Sequence, residues 1–100
     1  MVKHVILWKL KEELTAEEKE NVKAGIKEGL EGLAGKVPGL VDVKVNINGL
    51  PTSTGDVMLD TTFTDADALK AYSTNPLHVA IADGKVRPYT AVRSCLDYEV

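Results

Sequence analysis

The chain has 100 residues, enough for one hydrophobic core and too few for two, so one domain over residues 1–100 is expected. A net charge of −3 and a pI near 5.3 supply no broad basic surface for a phosphate backbone, which argues against nucleic-acid binding. The opening apolar run, Val5 to Trp8, is too short for a signal-peptide core or a membrane span, so a cytoplasmic location without a membrane partner is expected.

Residues 2–10 alternate, with Val2, His4, Ile6, Trp8 and Leu10 on one face and Lys3, Val5, Leu7 and Lys9 on the other. Both faces are apolar in the middle, which predicts a central strand covered on both sides. Thr15-Ala16-Glu17-Glu18 has the form of a capping box and predicts a helix start. Val22, Ile26, Leu30 and Leu33 give that helix one apolar stripe, while Glu17, Lys19, Glu20, Lys23, Lys27 and Glu31 read as a solvated surface. Gly25, Gly29 and Gly32 weaken it, so it depends on packing, and Gly35 with Pro38-Gly39 is expected to end it.

Val41, Val43, Val45 and Ile47 alternate with Asp42, Lys44, Asn46 and Asn48, a second strand with one wet face, near a sheet edge. Gly49 to Gly55 is a loop without a phosphate-binding pattern. Val57, Leu59, Thr61 and Phe63 form one face of a third strand, with Met58, Asp60 and Thr62 on its other side. Thr64-Asp65-Ala66-Asp67 starts a second helix whose inner face is Ala68, Leu69, Ala71 and Tyr72. Asn75-Pro76 stops it, and proline at a first helical position predicts a restart from Leu77 to about Gly84. Val92, Leu96 and Tyr98 belong to a fourth strand. Cys95, the only cysteine, has no partner for an intrachain disulfide and reads as a small buried side chain rather than a nucleophile.

Strand, helix, strand, strand, helix pair, strand is the order of an α+β, ferredoxin-like split βαβ domain, a four-stranded antiparallel sheet with helices on one face. The bare face would carry Val5, Leu7 and Met58, and an exposed apolar patch marks an interface. A homodimer with the two open sheet faces opposed is therefore expected, a monomer with a partly wet sheet being the alternative.

The stretch Ala71 to Val79 holds the candidate chemistry, a phenol at Tyr72 and an imidazole at His78 on either side of the proline break. An imidazole with an ordinary pKa of about 6.5 suits a general base. Tyr72 suits a hydrogen-bond donor to a developing enolate or alkoxide. His4 shares a strand face with Ile6 and Trp8 and suits orientation of a substrate or a water, while Ile6, Trp8, Leu59 and Phe63 would line the substrate pocket. Parity leaves open whether that face meets the helices or a partner chain. Each residue also has a plain structural reading: core packing for Tyr72 and His4, an exposed or turn-bonded position for His78. Two histidines far apart without a carboxylate at ligand spacing form no zinc signature, and no serine elbow, P-loop or Rossmann pattern occurs. No metal and no cofactor are expected.

Val2-Lys3-His4-Val5-Ile6-Leu7, Lys36-Val37-Pro38-Gly39 after the first helix, Phe63 before an acidic helix start, Ala71-Tyr72 with Asn75-Pro76-Leu77-His78-Val79, and the terminal Asp97-Tyr98-Glu99-Val100 occur in that order. Together they resemble the stress-responsive dimeric α/β-barrel family over essentially the whole chain. The resemblance implies a dimeric ferredoxin-like barrel and a link to stress responses. It also implies a chemical precedent, a plant polyketide cyclase that performs an aldol cyclisation between sheet and helices. The helical tyrosine and histidine of that enzyme correspond to Tyr72 and His78, its first-strand histidine to His4, and a further pocket histidine falls at Val57. The same fold hosts cofactor-independent monooxygenases and lactone isomerases, so fold alone selects no reaction. Three functions are carried forward: a dimeric protein whose apolar pocket binds a small apolar or aromatic molecule; a cofactor-independent cyclase, lyase or isomerase acting on a polyketide-like carbonyl compound; and a non-catalytic dimerisation or docking module.

Overall fold

The computed structural model describes residues 1–100. Its sheet is built on β1 (Val2–Leu10), which pairs antiparallel with β3 (Val57–Phe63) on one side and β4 (Thr90–Glu99) on the other. β2 (Leu40–Asn46) lies outside β3, giving the order β2-β3-β1-β4 and the four-stranded ferredoxin-like arrangement expected from the element order. Val2, His4, Ile6, Trp8 and Leu10 are all buried, whereas Leu7 and Lys9 are exposed, so the first of the two faces of β1 is the helix side. Thr61 sits on the same inner face of the sheet, where its hydroxyl donates to the His4 carbonyl at 2.6 Å and is thereby satisfied.

α1 (Ala16–Glu31) starts at the expected capping box: the Thr15 hydroxyl accepts from the Glu18 amide at 3.1 Å and the Glu18 carboxylate from the Thr15 amide at 2.9 Å. The helix ends at Gly32, ahead of Gly35, and Leu33 reaches the core from the turns that follow. Lys27 and Glu31 are not simply solvated. The Lys27 ammonium donates to the Val45 carbonyl at 2.7 Å and to Glu31 at 2.9 Å, and Glu31 accepts the Val45 amide at 2.9 Å. This pair clamps α1 to the open backbone edge of β2.

β2 departs from strict alternation. Leu40 faces Phe63 and Asp42 faces Thr62, so Val41 is an extra, bulged residue. Leu40, Val43 and Val45 consequently pack on the core, while Val41 is exposed instead of joining them. Gly39, just before the strand, has φ +80°, and a Cβ there would fall 2.4 Å from the Ala68 Cβ, so only glycine allows α2 (Ala66–Thr74) to approach this closely.

Asp65 caps α2, accepting the Ala68 amide at 2.8 Å, and Asn75 caps α3 (Pro76–Ile81), accepting the Leu77 amide at 2.9 Å. Pro76 opens α3 as expected, but the helical path does not stop near Gly84. It continues through a π-helical turn over Ala82–Val86 and a 3₁₀ turn over Arg87–Tyr89. Gly84 has open space around it and breaks nothing; the path ends at the 3₁₀ turn containing Pro88. No helix is long and apolar enough to cross a membrane.

The sheet face away from the helices carries Leu7, Val92, Leu96 and Tyr98, all exposed, beside half-buried Val5 and Met58. Cys95 is exposed, contrary to its expected burial, because β4 is an edge strand lying largely beyond the helical cover.

Candidate active site

The Asn75-Pro76 turn positions the central pair. Tyr72 lies near the C-terminal end of α2, and the Asn75 amide donates to the Tyr72 carbonyl at 3.1 Å. Proline then restarts the chain as α3, so that His78, in its first turn, folds back over Tyr72. The two ring centroids are 4.0 Å apart with planes inclined by 33°. Phe63 supports the phenol from the sheet side at 5.0 Å, and His4 lies 6.2 Å from it in an edge-on arrangement.

These groups meet at a cavity of about 180 Å³ between β1, the helices and the start of β4. His4, Ile6 and Trp8 line it from β1, Leu69, Tyr72 and Ser73 from α2, and His78 from α3. Ala82 and Val86 add apolar wall from the π-helical turn, and Arg87, Thr90 and Arg93 complete the lining. Three further expected lining residues stand elsewhere. Val57, Leu59 and Phe63 are packed into the core from β3, with Val57 opposite Trp8 and Leu59 opposite Ile6, so β1 stands between that wall and the cavity. Phe63 touches the site through its rings with Tyr72 and His4, whereas Val57 has no place in the lining.

Residue chemistry differs among the three proton-active groups. The Tyr72 hydroxyl is buried without a hydrogen-bond partner, and burial pushes its pKa up to about 12, which keeps it a protonated donor. His78 Nδ1 is also buried and unpartnered. Burial lowers the His78 pKa below its ordinary value, outweighing the Ser73 and Tyr72 backbone, which favours the charged ring, and the nearby Arg87 guanidinium adds to the lowering, so the neutral imidazole predominates at pH 7. His4 is held from the other side. Its Nδ1 lies 2.5 Å from a carboxylate oxygen of Asp97, the residue directly across on β4. That contact puts a proton on Nδ1, facing the carboxylate, and turns Nε2 away from Asp97.

Folding also assembles a donor set that spacing conceals. His4 Nδ1, the Cys95 thiol and the Asp97 carboxylate lie within 4.8 Å of one another. Their types suit a borderline cation such as zinc. They already satisfy one another, however: the thiol is 3.4 Å from Asp97 and 3.7 Å from His4. Burial, followed by the adjacent Asp97 carboxylate, raises the thiol pKa and keeps it protonated. The set therefore reads as a hydrogen-bonded brace for His4.

Sequence reasoning passed over Asp97, Thr90, Arg87 and Arg93. A β-bulge explains two of these. Lys9 faces Val92 but Leu10 faces Thr90, so Ala91 is inserted, and Thr90 and Arg93 line one cavity despite opposite parity. Asp97 was the accessible one, because counting from Tyr98 places it on the opposite face of β4.

A split βαβ sheet with a small cavity between sheet and helices, lined by a phenol and two imidazoles, defines a ferredoxin-like α+β domain of the pocket-bearing kind. Its sequence matches the Stress responsive A/B Barrel Domain over residues 2–100, and the chain belongs to that family. Among solved structures it is similar to a dimeric protein of unknown function with a ferredoxin-like fold from Bacteroides fragilis. The two share 34% identity and a TM-score of 0.93, covering 99% of this chain and 95% of the other. A dimeric ferredoxin-like protein of unknown function from Thermobifida fusca superposes with a TM-score of 0.78 at 20% identity, covering 99% of this chain and 90% of the other. Hydroxynitrile lyase from Passiflora edulis has the same fold, with a TM-score of 0.71, 16% identity and coverage of 97% and 90%. No curated protein matches the sequence.

Proposed function

We propose that the chain is a single cytoplasmic stress-response-type α/β-barrel domain, acting as a homodimer, whose cavity binds a small apolar or aromatic molecule without a cofactor. One observation carries the reading. The Tyr72 hydroxyl and His78 Nδ1 are buried and lack partners, and both residues line a cavity with Ile6, Trp8 and Val86 in its wall. Buried polar atoms are normally hydrogen-bonded, and leaving one unmet costs about 1–3 kcal/mol. A ligand carrying a carbonyl or hydroxyl group would meet both. The test is a fragment screen read by the fluorescence of Trp8, the only tryptophan, which lines the cavity. Ligands should shift the emission of the parent protein and lose affinity in Tyr72→Phe; a screen with no ligand shared by cavity and spectrum would sink the reading.

Acid–base catalysis is the second reading, favoured by the pairing of a neutral imidazole with a protonated phenol. His78 would remove a proton α to a carbonyl, the electron pair moving onto an oxygen that accepts from Tyr72. The enolate carbon would attack a second carbonyl, and the alkoxide so formed would recover the proton from His78. His4, braced by Asp97, would orient the substrate. A hydroxynitrile lyase on this fold supports carbonyl chemistry as compatible with such a scaffold. Cyclisation or lyase turnover that persists unchanged in His78→Ala would exclude this base. A purely dimerising or docking role would leave the cavity idle.

A further inference from the structure

The cavity lining contains two arginines and no carboxylate, in a chain whose net charge is −3. Positive charge is thus gathered where the overall composition opposes it. Arg87 is delivered by the 3₁₀ turn and pairs only with Asp83, one helical turn earlier. Arg93 projects from β4 directly across from Trp8 and makes no ion pair. Asp97, the nearest acid on that strand face, is engaged by His4 and Cys95. Both guanidinium-bearing residues are exposed, whereas Tyr72 is 1% exposed. The site therefore has a cationic mouth, apolar walls at Ile6, Trp8 and Val86, and unpartnered polar atoms inside.

Such a gradient sorts ligands. An anion is too costly to bury fully, but at an exposed mouth it keeps part of its hydration while a planar guanidinium engages it through two parallel hydrogen bonds. Size limits the remainder. A cavity of about 150 Å³ holds a benzene ring, and this one measures about 180 Å³.

We propose that the cavity selects a small carboxylate with a single-ring apolar body, the carboxylate held at the mouth by Arg93 and Arg87 and the ring enclosed beside Trp8. A carbonyl or hydroxyl on the far side of the ring would meet Tyr72 and His78. The assignment rests on the cavity being a ligand site and adds to it the charge and size of the ligand.

Benzoate and benzamide, equal in shape but different in charge, separate the two claims. Both are titrated by calorimetry and Trp8 fluorescence against the parent protein and against the Arg87→Met/Arg93→Met variant. Benzoate is expected to bind about tenfold more tightly than benzamide. The double variant should lose that advantage, and in the parent protein the advantage should shrink as salt is raised. Equal affinities in the parent protein would overturn the anion selectivity and leave the pocket intact. A benzoate advantage that survives in the double variant would overturn the arginine assignment. Binding of neither compound would count against the pocket itself and against this proposal with it.

Discussion

A buried hydroxyl without a partner is a stability cost, and Tyr72 is packed among Phe63, His4 and His78 with its oxygen unmet. If that oxygen exists for a ligand, removing it should help the unliganded fold. Tyr72→Phe is expected to be more stable than the parent by about 1 kcal/mol in denaturant unfolding, while binding ligand less well. A loss of stability would show that the hydroxyl serves the core. His78 gives a pH signature of its own. Its folded pKa lies below the ordinary 6.5 because of burial, with Arg87 contributing, so between these two values the unfolded chain holds the proton more tightly. Above pH 6.5 both states are neutral and the residue exerts no linkage. As pH falls from there through the folded pKa, stability is progressively lost, and below it the loss is constant. The difference in unfolding free energy between the parent and His78→Gln should therefore change in this acidic window, moving against the parent as pH falls, and should be flat above it.

At the scale of elements, the site depends on how closely α2 meets the sheet. Gly39 allows that approach, and the Thr64 amide donates to its carbonyl at 2.9 Å, anchoring the chain just before α2. Gly39→Ala would add both a strained left-handed conformation and a clash with Ala68. It is expected to destabilise the fold by more than about 1 kcal/mol. Because α2 carries Tyr72, ligand affinity should fall as well; an unaffected melting temperature would refute the close-approach argument. The elements around this contact were largely readable in sequence. The capping box at Thr15, the Pro76 restart and the alternation of β1 are local signals, set by a few neighbouring residues. Tyr72, His78, His4, Ile6 and Trp8 were accessible for that reason. The bulges at Val41 and Ala91 were not, because a bulge is a relation between two strands. The Ala91 bulge concealed that Thr90 and Arg93 share a wall with Trp8. The π-helical turn likewise carried Ala82 and Val86, and the 3₁₀ turn after it Arg87, into the site past Gly84, where the sequence predicts the helix to end.

For the whole molecule, the unresolved balance is between the two faces of the sheet. The helix side buries its apolar residues, while the other presents Leu7, Val92, Leu96 and Tyr98 to solvent, Leu96 being 65% exposed. Val5 lies opposite Leu96 and the Lys3–Asp60 ion pair, at 2.7 Å, borders the same surface, so the patch has an apolar centre and a charged margin. That anatomy fits an isologous interface better than a wet sheet. The Bacteroides fragilis protein, 34% identical, is dimeric, which supports a dimer. We predict a dimer mass by light scattering at micromolar concentration. Leu96→Asp should shift it to the monomer, since pairing would bury a carboxylate in the apolar centre while the adjacent Lys3 is already held by Asp60. Leu96 makes its cross-strand contact at a surface position, so the isolated protomer should keep its circular dichroism spectrum. A parent protein that already runs as a monomer would refute the open-face interface, and an unaltered dimer in Leu96→Asp would move the contact to another surface. The cavity lies on the opposite side of the sheet from this patch, and Trp8 faces it. If pocket and interface are independent, the monomeric variant should bind ligand with the parent's affinity. If dimerisation orders β4, the strand bearing Arg93 and Asp97, affinity should fall with the mass.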